Sequence, residues 1–381
     1  MKPVKVCCFC ERWESGGIES FLFNVLMQLD RETVCMDIVV AELAESAFTE
    51  ELRQRGVRFI ELSGKQQRLW KNHAKFCRLL RAEKYDVVHV NIFHGVSLYY
   101  AQLAKRMGVP VRVAHSHNTA LRKSRTRPLK MLIHRAAKAL YTSSATDLWA
   151  CSEPAAEFLF SKRQLAVKGF QFIPNGIDVE RFRFDASARE SARQELGLIK
   201  KFVIGNIGRL CYQKNQEFLL EIFAEIIHCK PESCLLLVGE GEAAAVLRQK
   251  AESLGIAHAV IFYGVSSHVE RLLWAMDTFV FPSRFEGLGI AVVEAQAAGL
   301  SVLCSEKVPQ EAILTETVVQ LPLCAGPKAW AEELLKMQTP ERSSDAGLVA
   351  SAGFDIRAVA AQIGRTWTRG GEIDGNPGAS L

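Results

Sequence analysis

Pro282-Ser283-Arg284-Phe285-Glu286-Gly287-Leu288-Gly289-Ile290, continued by Ala291-Val292-Val293-Glu294-Ala295-Gln296-Ala297-Ala298-Gly299, is the stretch on which the fold turns. An apolar strand enters a glycine-bearing loop, then a helix that stops at Gly299, a residue suited to a helix C-terminus. The free N–H groups at the helix start favour a phosphate. Gly287 and Gly289 let the backbone come close to a ligand. Glu294 lies about one turn into the helix and leans back toward its start, so it can share the mouth of the loop with Glu286. Two carboxylates beside an anion site suit the hydroxyls of a sugar carried on a phosphate. From this stretch alone, a solvated loop glutamate and a helix-face glutamate read equally well.

Working outward, short apolar runs alternate with helical patterns. Lys5–Cys10, Asp37–Val40, Arg58–Leu62, Asp86–Asn91 and Val111–Ala114 read as strands, with helices over 18–29 and near 46–55, 70–83 and 96–107. A second series follows: Phe202–Ile207, Cys234–Val238, Val260–Tyr263, Thr278–Pro282 and Ser301–Cys304. The runs are continuous and β-branched, as for strands covered on both faces. Strand–helix alternation implies parallel sheets with right-handed crossovers. The expected class is therefore α/β, with two doubly wound Rossmann-like domains facing across a cleft, and ligands beyond the carboxyl ends of the strands. The boundaries fall at 1–175 and 176–369. Residues 180–197 read as a charged, helix-prone linker, 370–381 as a disordered tail, and Ser267-His268-Val269-Glu270 as a capping box.

A length of 381 residues agrees with two domains. No apolar run reaches the roughly 18 residues of a membrane span. The apolar stretch before Glu11 is too short for a signal peptide and reads as a buried first strand. The 11 cysteines are odd in number and irregular in spacing, without paired C-x-x-C motifs. Cys7, Cys8 and Cys10 fit the core of a strand in a reducing compartment. His89 and His94 flank a strand end without a supporting carboxylate pattern, so no metal site is expected. The net charge of +5 is unevenly spread: residues 1–174 hold 27 Lys+Arg against 16 Asp+Glu. The first half is therefore expected to meet something anionic. No helix-turn-helix, zinc finger or aromatic-basic motif points to nucleic acid, and neither sheet opens with the G-x-G-x-x-G loop of a dinucleotide enzyme.

The two glutamates eight positions apart, with their strand and loop, resemble the signature of the family 4 retaining glycosyltransferases of GT-B fold. Further motifs follow in the family's order. Gly205-Asn206-Ile207-Gly208-Arg209-Leu210 with Gln213-Lys214-Asn215 is similar to its strand-end Arg and Lys. Leu236 to Gly241 resembles its next glycine turn, Phe262-Tyr263-Gly264 the stretch beside the nucleotide base, and Pro174 to Asp178 its interdomain Asn-Gly-Ile-Asp. Gly16-Gly17-Ile18-Glu19 resembles the glycine loop facing donor phosphate and acceptor. Ala114-His115-Ser116-His117-Asn118 resembles the loop with an active-site histidine, as in bacterial capsule and exopolysaccharide enzymes. The resemblance implies that Arg209 and Lys214 hold the donor diphosphate, Glu294 the ribose, Glu286 the transferred sugar, and Gly287, Leu288 and Gly289 the phosphate or sugar oxygens. It places Gly264 by the base, and Gly16 and Gly17 by phosphate and acceptor. His117 is the catalytic histidine in this reading, with His115 as the competing assignment. Gly289 stands where the family often has proline, and Ser305 to Glu311 departs from the simpler turn of many members.

The activity so implied is retaining transfer of a hexose or N-acetylhexosamine from a nucleoside diphosphate sugar, a UDP-sugar by expectation, with no cofactor and no metal. The acceptor would be a glycan, carried on polyprenyl pyrophosphate, for a bacterial surface polysaccharide. Two rivals are a nucleotide-sugar epimerase of the same architecture and a non-catalytic nucleotide-sugar-binding protein. Arg122, Lys123, Arg125, Arg127, Lys130, Arg135 and Lys138, with Leu129, Leu132, Ile133 and Ala136 on one helical face, suggest docking on an anionic membrane from the cytoplasmic side. The other reading of that segment is a helix packed on its domain with a solvated basic side.

Overall fold

The computed structural model describes residues 3–13, 17–44, 47–65, 68–121, 126–337, 342 and 345–373, with only the backbone of 47 and 370–373. The chain divides into two compact units: Met1–Gly176 with Ile356–Leu381, and Ile177–Asp355. Unit one contains β1 (Val4–Trp13), β2 (Val34–Leu43), β3 (Arg58–Glu61), β4 (Val87–Ile92), β5 (Val111–Ser116), β6 (Asp147–Ala150) and β7 (Gln171–Phe172). Unit two contains β8 (Phe202–Ile207), β9 (Ser233–Val238), β10 (Val260–Gly264), β11 (Thr278–Phe281), β12 (Ser301–Ser305) and β13 (Val318–Leu321).

The spatial orders are β3-β2-β1-β4-β5-β6-β7 and β10-β9-β8-β11-β12-β13, and every paired neighbour is parallel. Both sheets are thus doubly wound, with strand order reversing between β1 and β4 and between β8 and β11. A crevice forms at such a reversal, beyond the strands' carboxyl ends. The central strands read as continuous apolar runs because helices cover both faces: β9 and β11 are buried along their whole length. Cys7, Cys8 and Cys10 are buried in β1.

The structure corrects four expectations. The final helix, Ile356–Ile373, belongs to unit one rather than to a domain running through 369. Its residues Ile356, Val359, Ala360, Ile363 and Trp367 follow one helical face and are buried in the core with Val6, Phe21 and Trp149. Gly176 permits the chain's return, since a Cβ there would lie 2.8 Å from the Ile356 Cα. The expected tail from 370 is helical as far as Ile373, and 374–381 lie outside the described residues.

Residues 180–197 are not a free linker. Helices Val179–Phe182 and Ala186–Glu195 form part of unit two. Arg189 and Arg193 reach Asp277 at 2.6 and 3.1 Å, while Asp277 also accepts the Val203 N–H at 2.7 Å. The box at 267–270 does not close either. Helix Val269–Ala275 starts at His268 without a side-chain cap, because Glu270 is drawn to Arg181 at 2.7 Å.

Candidate functional site

The loops after β8 and β11 meet at the strand-order reversal of unit two. Asn215, in the left-handed region at φ +58°, turns the first loop into helix Gln216–Cys229. Its side chain donates to the Pro282 carbonyl at 3.0 Å, and the Arg284 N–H donates to the Gln213 carbonyl at 2.8 Å. The loops are therefore laced together by backbone groups, which fixes what their side chains face. Gly289 stands at φ +90° and opens helix Ile290–Ala297. A proline, held near −65°, cannot adopt that conformation. The departure from the usual family residue is thus built into this loop's shape.

Lys214 and Glu286 are brought together, at 2.8 Å, with 19% and 6% of their side chains exposed. The Lys214 ammonium also sits 4.6 Å from the centre of the Phe281 ring. Gln213 donates to the Phe285 carbonyl at 3.0 Å and to the second Glu286 oxygen at 3.4 Å. Arg209, more exposed, pairs with Glu242 at 3.3 Å. Gly287, Leu288 and Gly289 line the turn between Glu286 and the helix start.

Glu294, half-buried on that helix, has its pKa pushed up to about 7, chiefly by desolvation. Arg181 and Lys214 oppose the rise, while Glu270 adds to it. A carboxyl held near neutrality beside cations is a common mark of a functional site. Gly264 ends β10, and its carbonyl accepts the Gly239 N–H at 2.8 Å, which joins the two glycine turns. No site role was expected for Glu242, Arg181 or Glu270. None has a local signal, because each is defined by a partner distant in sequence or by a loop crossing.

In unit one, Gly17 begins helix Gly17–Gln28 directly beyond β1; Gly16 lies outside the described residues. One turn on, the Phe21 ring lies 5.4 Å from that of His117. His117 follows β5 and remains partly accessible, whereas His115 is fully buried within the strand. His115 Nδ1 lies 3.2 Å from His89 Nε2, and the His89 ring contacts Trp149 and Trp367 edge-on. His115 and His89 are thus core groups, and His117 is the one of the three that is partly accessible. Among the described residues, no cluster of His, Cys, Asp or Glu could hold a metal, and no helix is long and apolar enough to cross a membrane.

Burial lowers the pKa of all three histidines: His89 and His117 to about 3, and His115 well below its usual value. They stay neutral in the fold, while the unfolded chain protonates them below about pH 6.5. Their stabilisation is present above that pH and is lost as pH falls toward the folded values. Between pH 7.5 and 5.5 the expected loss is about 4 kcal/mol for the three, of which Glu294, being protonated, returns about 2. Urea unfolding at the two pH values should therefore show a net loss of about 2 kcal/mol. Stability unchanged or higher at pH 5.5 would contradict the buried neutral cluster.

Two family models match the chain: Glycosyltransferase Family 4 over residues 15–181, and Glycosyl transferases group 1 over 188–342. The chain is 29% identical over 357 residues to EpsF of Bacillus subtilis, assigned by name to the glycosyltransferases, with 90% of each protein covered. It is 29% identical over 233 residues to an Escherichia coli enzyme, UDP-Gal:alpha-D-GlcNAc-diphosphoundecaprenol alpha-1,3-galactosyltransferase, covering 60% of this chain and 59% of that one. Among solved structures, Anabaena HepE in complex with UDP superposes with a TM-score of 0.76 at 21% identity, over 96% of this chain and 100% of that one. At that identity the superposition speaks for the fold. The paired α/β sheets, the two matched models and the named relatives lead to one conclusion: the chain belongs to the family 4 glycosyltransferases of GT-B fold, and its activity is glycosyl transfer.

Proposed function

We propose that the enzyme moves a hexose or N-acetylhexosamine from a UDP-sugar to a lipid-linked glycan, with retention of anomeric configuration, in the making of a bacterial surface polysaccharide. The observation that carries this reading is the Lys214–Glu286 pair, 2.8 Å apart where β8 and β11 diverge. In the reading, Lys214 and Arg209 neutralise the diphosphate as it departs. Glu286 takes hydroxyls of the transferred sugar, and Glu294 takes the ribose. The N–H groups of Gly287, Leu288 and Gly289 serve phosphate or sugar oxygens, and Gly264 borders the base. In unit one, Gly16 and Gly17 serve phosphate and acceptor, and His117 serves the sugar's reacting face. Support for uridine comes from the UDP bound in the HepE structure and from the name of the Escherichia coli relative, which also supplies the lipid-linked acceptor.

Cations fixed in a cleft do for a leaving diphosphate what a metal ion does elsewhere. Turnover is therefore expected to survive a chelator, and activity that returns only with added manganese or magnesium would refute the assignment of Lys214 and Arg209. The donor is tested by thermal shift across a panel of nucleoside diphosphate sugars. A ligand at 100 times its Kd stabilises by about 2.7 kcal/mol. Uridine diphosphate sugars should give the largest shift, and UDP release should require an acceptor extract. A guanosine sugar in first place would overturn the donor. Acceptor-independent conversion of the sugar would favour an epimerase, and binding without release a non-catalytic binder. In this reading the enzyme works at the inner face of the membrane, where a lipid-linked acceptor is reached.

A further inference from the structure

Helix Arg127–Tyr141 turns its apolar residues outward. Of its 15 residues only His134 and Ala137 are buried. The His134 ring anchors it: Nδ1 accepts the Gly95 N–H at 2.8 Å, and Nε2 lies 2.9 Å from the Phe158 carbonyl. With that face fixed inward, Leu129, Leu132, Ile133 and Leu140 are left 47 to 66% exposed. The start of helix Leu69–Glu83 adds Leu69 at 56% and Trp70 at 84%. Between these helices runs an apolar groove of about 510 Å³, floored by Tyr99 and Tyr100 and walled by Trp70, Ile133 and Leu140.

Arg68, Lys71, Lys130 and Arg135 are exposed on the same two segments. Helix Arg127–Tyr141 contains no carboxylate, and helix Leu69–Glu83 has one only at its last position. Protruding apolar groups ringed by cations, on helices that carry no carboxylate before Glu83, match a surface whose interior is hydrocarbon and whose rim is anionic. We propose that this two-helix face inserts into an anionic phospholipid bilayer, with Trp70, Leu69, Leu132 and Leu140 entering the acyl region. The inference deepens the reading of a lipid-linked acceptor, but it depends on unit one alone. The exposure of Leu129, Leu132 and Ile133 speaks against the other reading, in which the apolar side packs on the domain. Arg122, Lys123 and Arg125 lie outside the described residues.

Trp70 provides the probe. Of the six tryptophans, Trp13, Trp149, Trp330 and Trp367 are fully buried and Trp274 is half-buried. The full chain is mixed with vesicles of phosphatidylglycerol and phosphatidylethanolamine, or of phosphatidylcholine alone. The expected result is cosedimentation with the anionic vesicles, with a blue-shifted emission quenched by brominated acyl chains. Trp70→Ser should remove the quenching, and Trp70→Ser or Leu132→Ser should weaken partition on the order of tenfold. Removing a rim cation should cost about fivefold at low salt. Equal binding to neutral vesicles, binding without quenching, or a dimer in solution that Leu132→Ser dissolves would overturn the proposal. UDP release with a detergent-solubilised acceptor is measured in parallel. Absence of vesicle binding by the unmodified chain with transfer intact refutes this face, while absence of transfer with vesicle binding intact refutes the functional reading.

A different observation carries a second inference. His117 Nε2 lies 2.9 Å from Asn91 Oδ1, and Asn91 Nδ2 donates to Cys8 Sγ at 3.1 Å. His117 Nδ1 is buried without a partner among the described residues. We infer that Asn91 is a positioning residue that keeps the His117 proton on Nε2 and the lone pair on Nδ1. The neighbouring titratable groups are His115, with its ring 3.9 Å away, His89, and the Cys8 thiol. Long-range 15N NMR of the free protein should show the Nε2–H tautomer, and the Nδ1–H tautomer would overturn the assignment. Asn91→Asp should move the acid limb of kcat to higher pH, and Asn91→Leu should lower kcat about tenfold with KM little changed. A pH profile unmoved in a folded Asn91→Asp enzyme would also overturn it. The tautomer is read without substrate, so its outcome is independent of the role given to His117.

Discussion

Lys214→Ala is expected to lower kcat/KM at least about 100-fold and to weaken UDP binding in proportion. Two effects add. A charge-assisted contact to the diphosphate is typically worth about 1.5–3 kcal/mol. In addition, Glu286, only 5% exposed, loses the cation 2.8 Å from it and presents its buried negative charge to an anionic ligand without that counter-charge. Arg209→Ala removes a cation whose side chain is 58% exposed, so its effect should be nearer tenfold. Glu286→Gln tests the partition between the two roles: turnover should fall more than UDP affinity, because Lys214 is left in place. Calorimetric titration with UDP beside steady-state kinetics separates these outcomes. Near wild-type UDP affinity in both cation variants would remove the diphosphate from this corner of the fold.

Glu294→Gln is expected to stabilise the free protein while damaging donor binding. The carboxyl titrates near 7 in the fold, against its usual 4.5. The folded state therefore binds the proton more tightly, and stability declines as pH rises from about 4.5 through 7. Above that window the ionised group costs about 3 kcal/mol. An amide of the same shape avoids that cost, so at pH 8 the variant should unfold at a higher urea midpoint by up to this amount. It should also show the full acid loss of the histidine cluster, about 4 kcal/mol between pH 7.5 and 5.5, with no offset from Glu294. Donor affinity should drop at least tenfold, since the reading gives this carboxylate to the ribose hydroxyls. A variant that loses stability at pH 8, or keeps full donor affinity, would show that Glu294 is not desolvated for binding.

The central strands were legible in the sequence because parallel strands covered on both faces leave uninterrupted β-branched runs. Phe202–Ile207 and Val260–Tyr263 are read to within a residue of β8 and β10. The outer strands were not. β6 has only four residues, β7 two, and β13 is half-buried throughout, so none produces a long apolar run. The domain boundary was half legible. Asn175-Gly176 marks the first crossing, but the second depends on which core accepts the face of Ile356–Ile373, a choice that sequence order does not encode. In the site, Glu286, Glu294 and Lys214 stood out through spacing and family resemblance. The bond between Lys214 and Glu286 did not, because 72 residues separate them and only the reversal of strand order brings them together. Two histidines a residue apart read alike in the sequence. The structure separates them by depth: His115 is buried within β5, while His117 follows the strand's end and is partly accessible.

Retaining transfer from a UDP-sugar is decided by the stereochemistry of the product. The enzyme is supplied with the UDP-sugar that gives the largest thermal shift and a lipid-linked acceptor, without divalent metal, and the new anomeric proton is followed by NMR from the first turnovers. The expected product has a glycosidic bond with the donor's α configuration, with one UDP released per bond formed. A β-linked product, or sugar consumed without UDP release, would contradict retaining transfer.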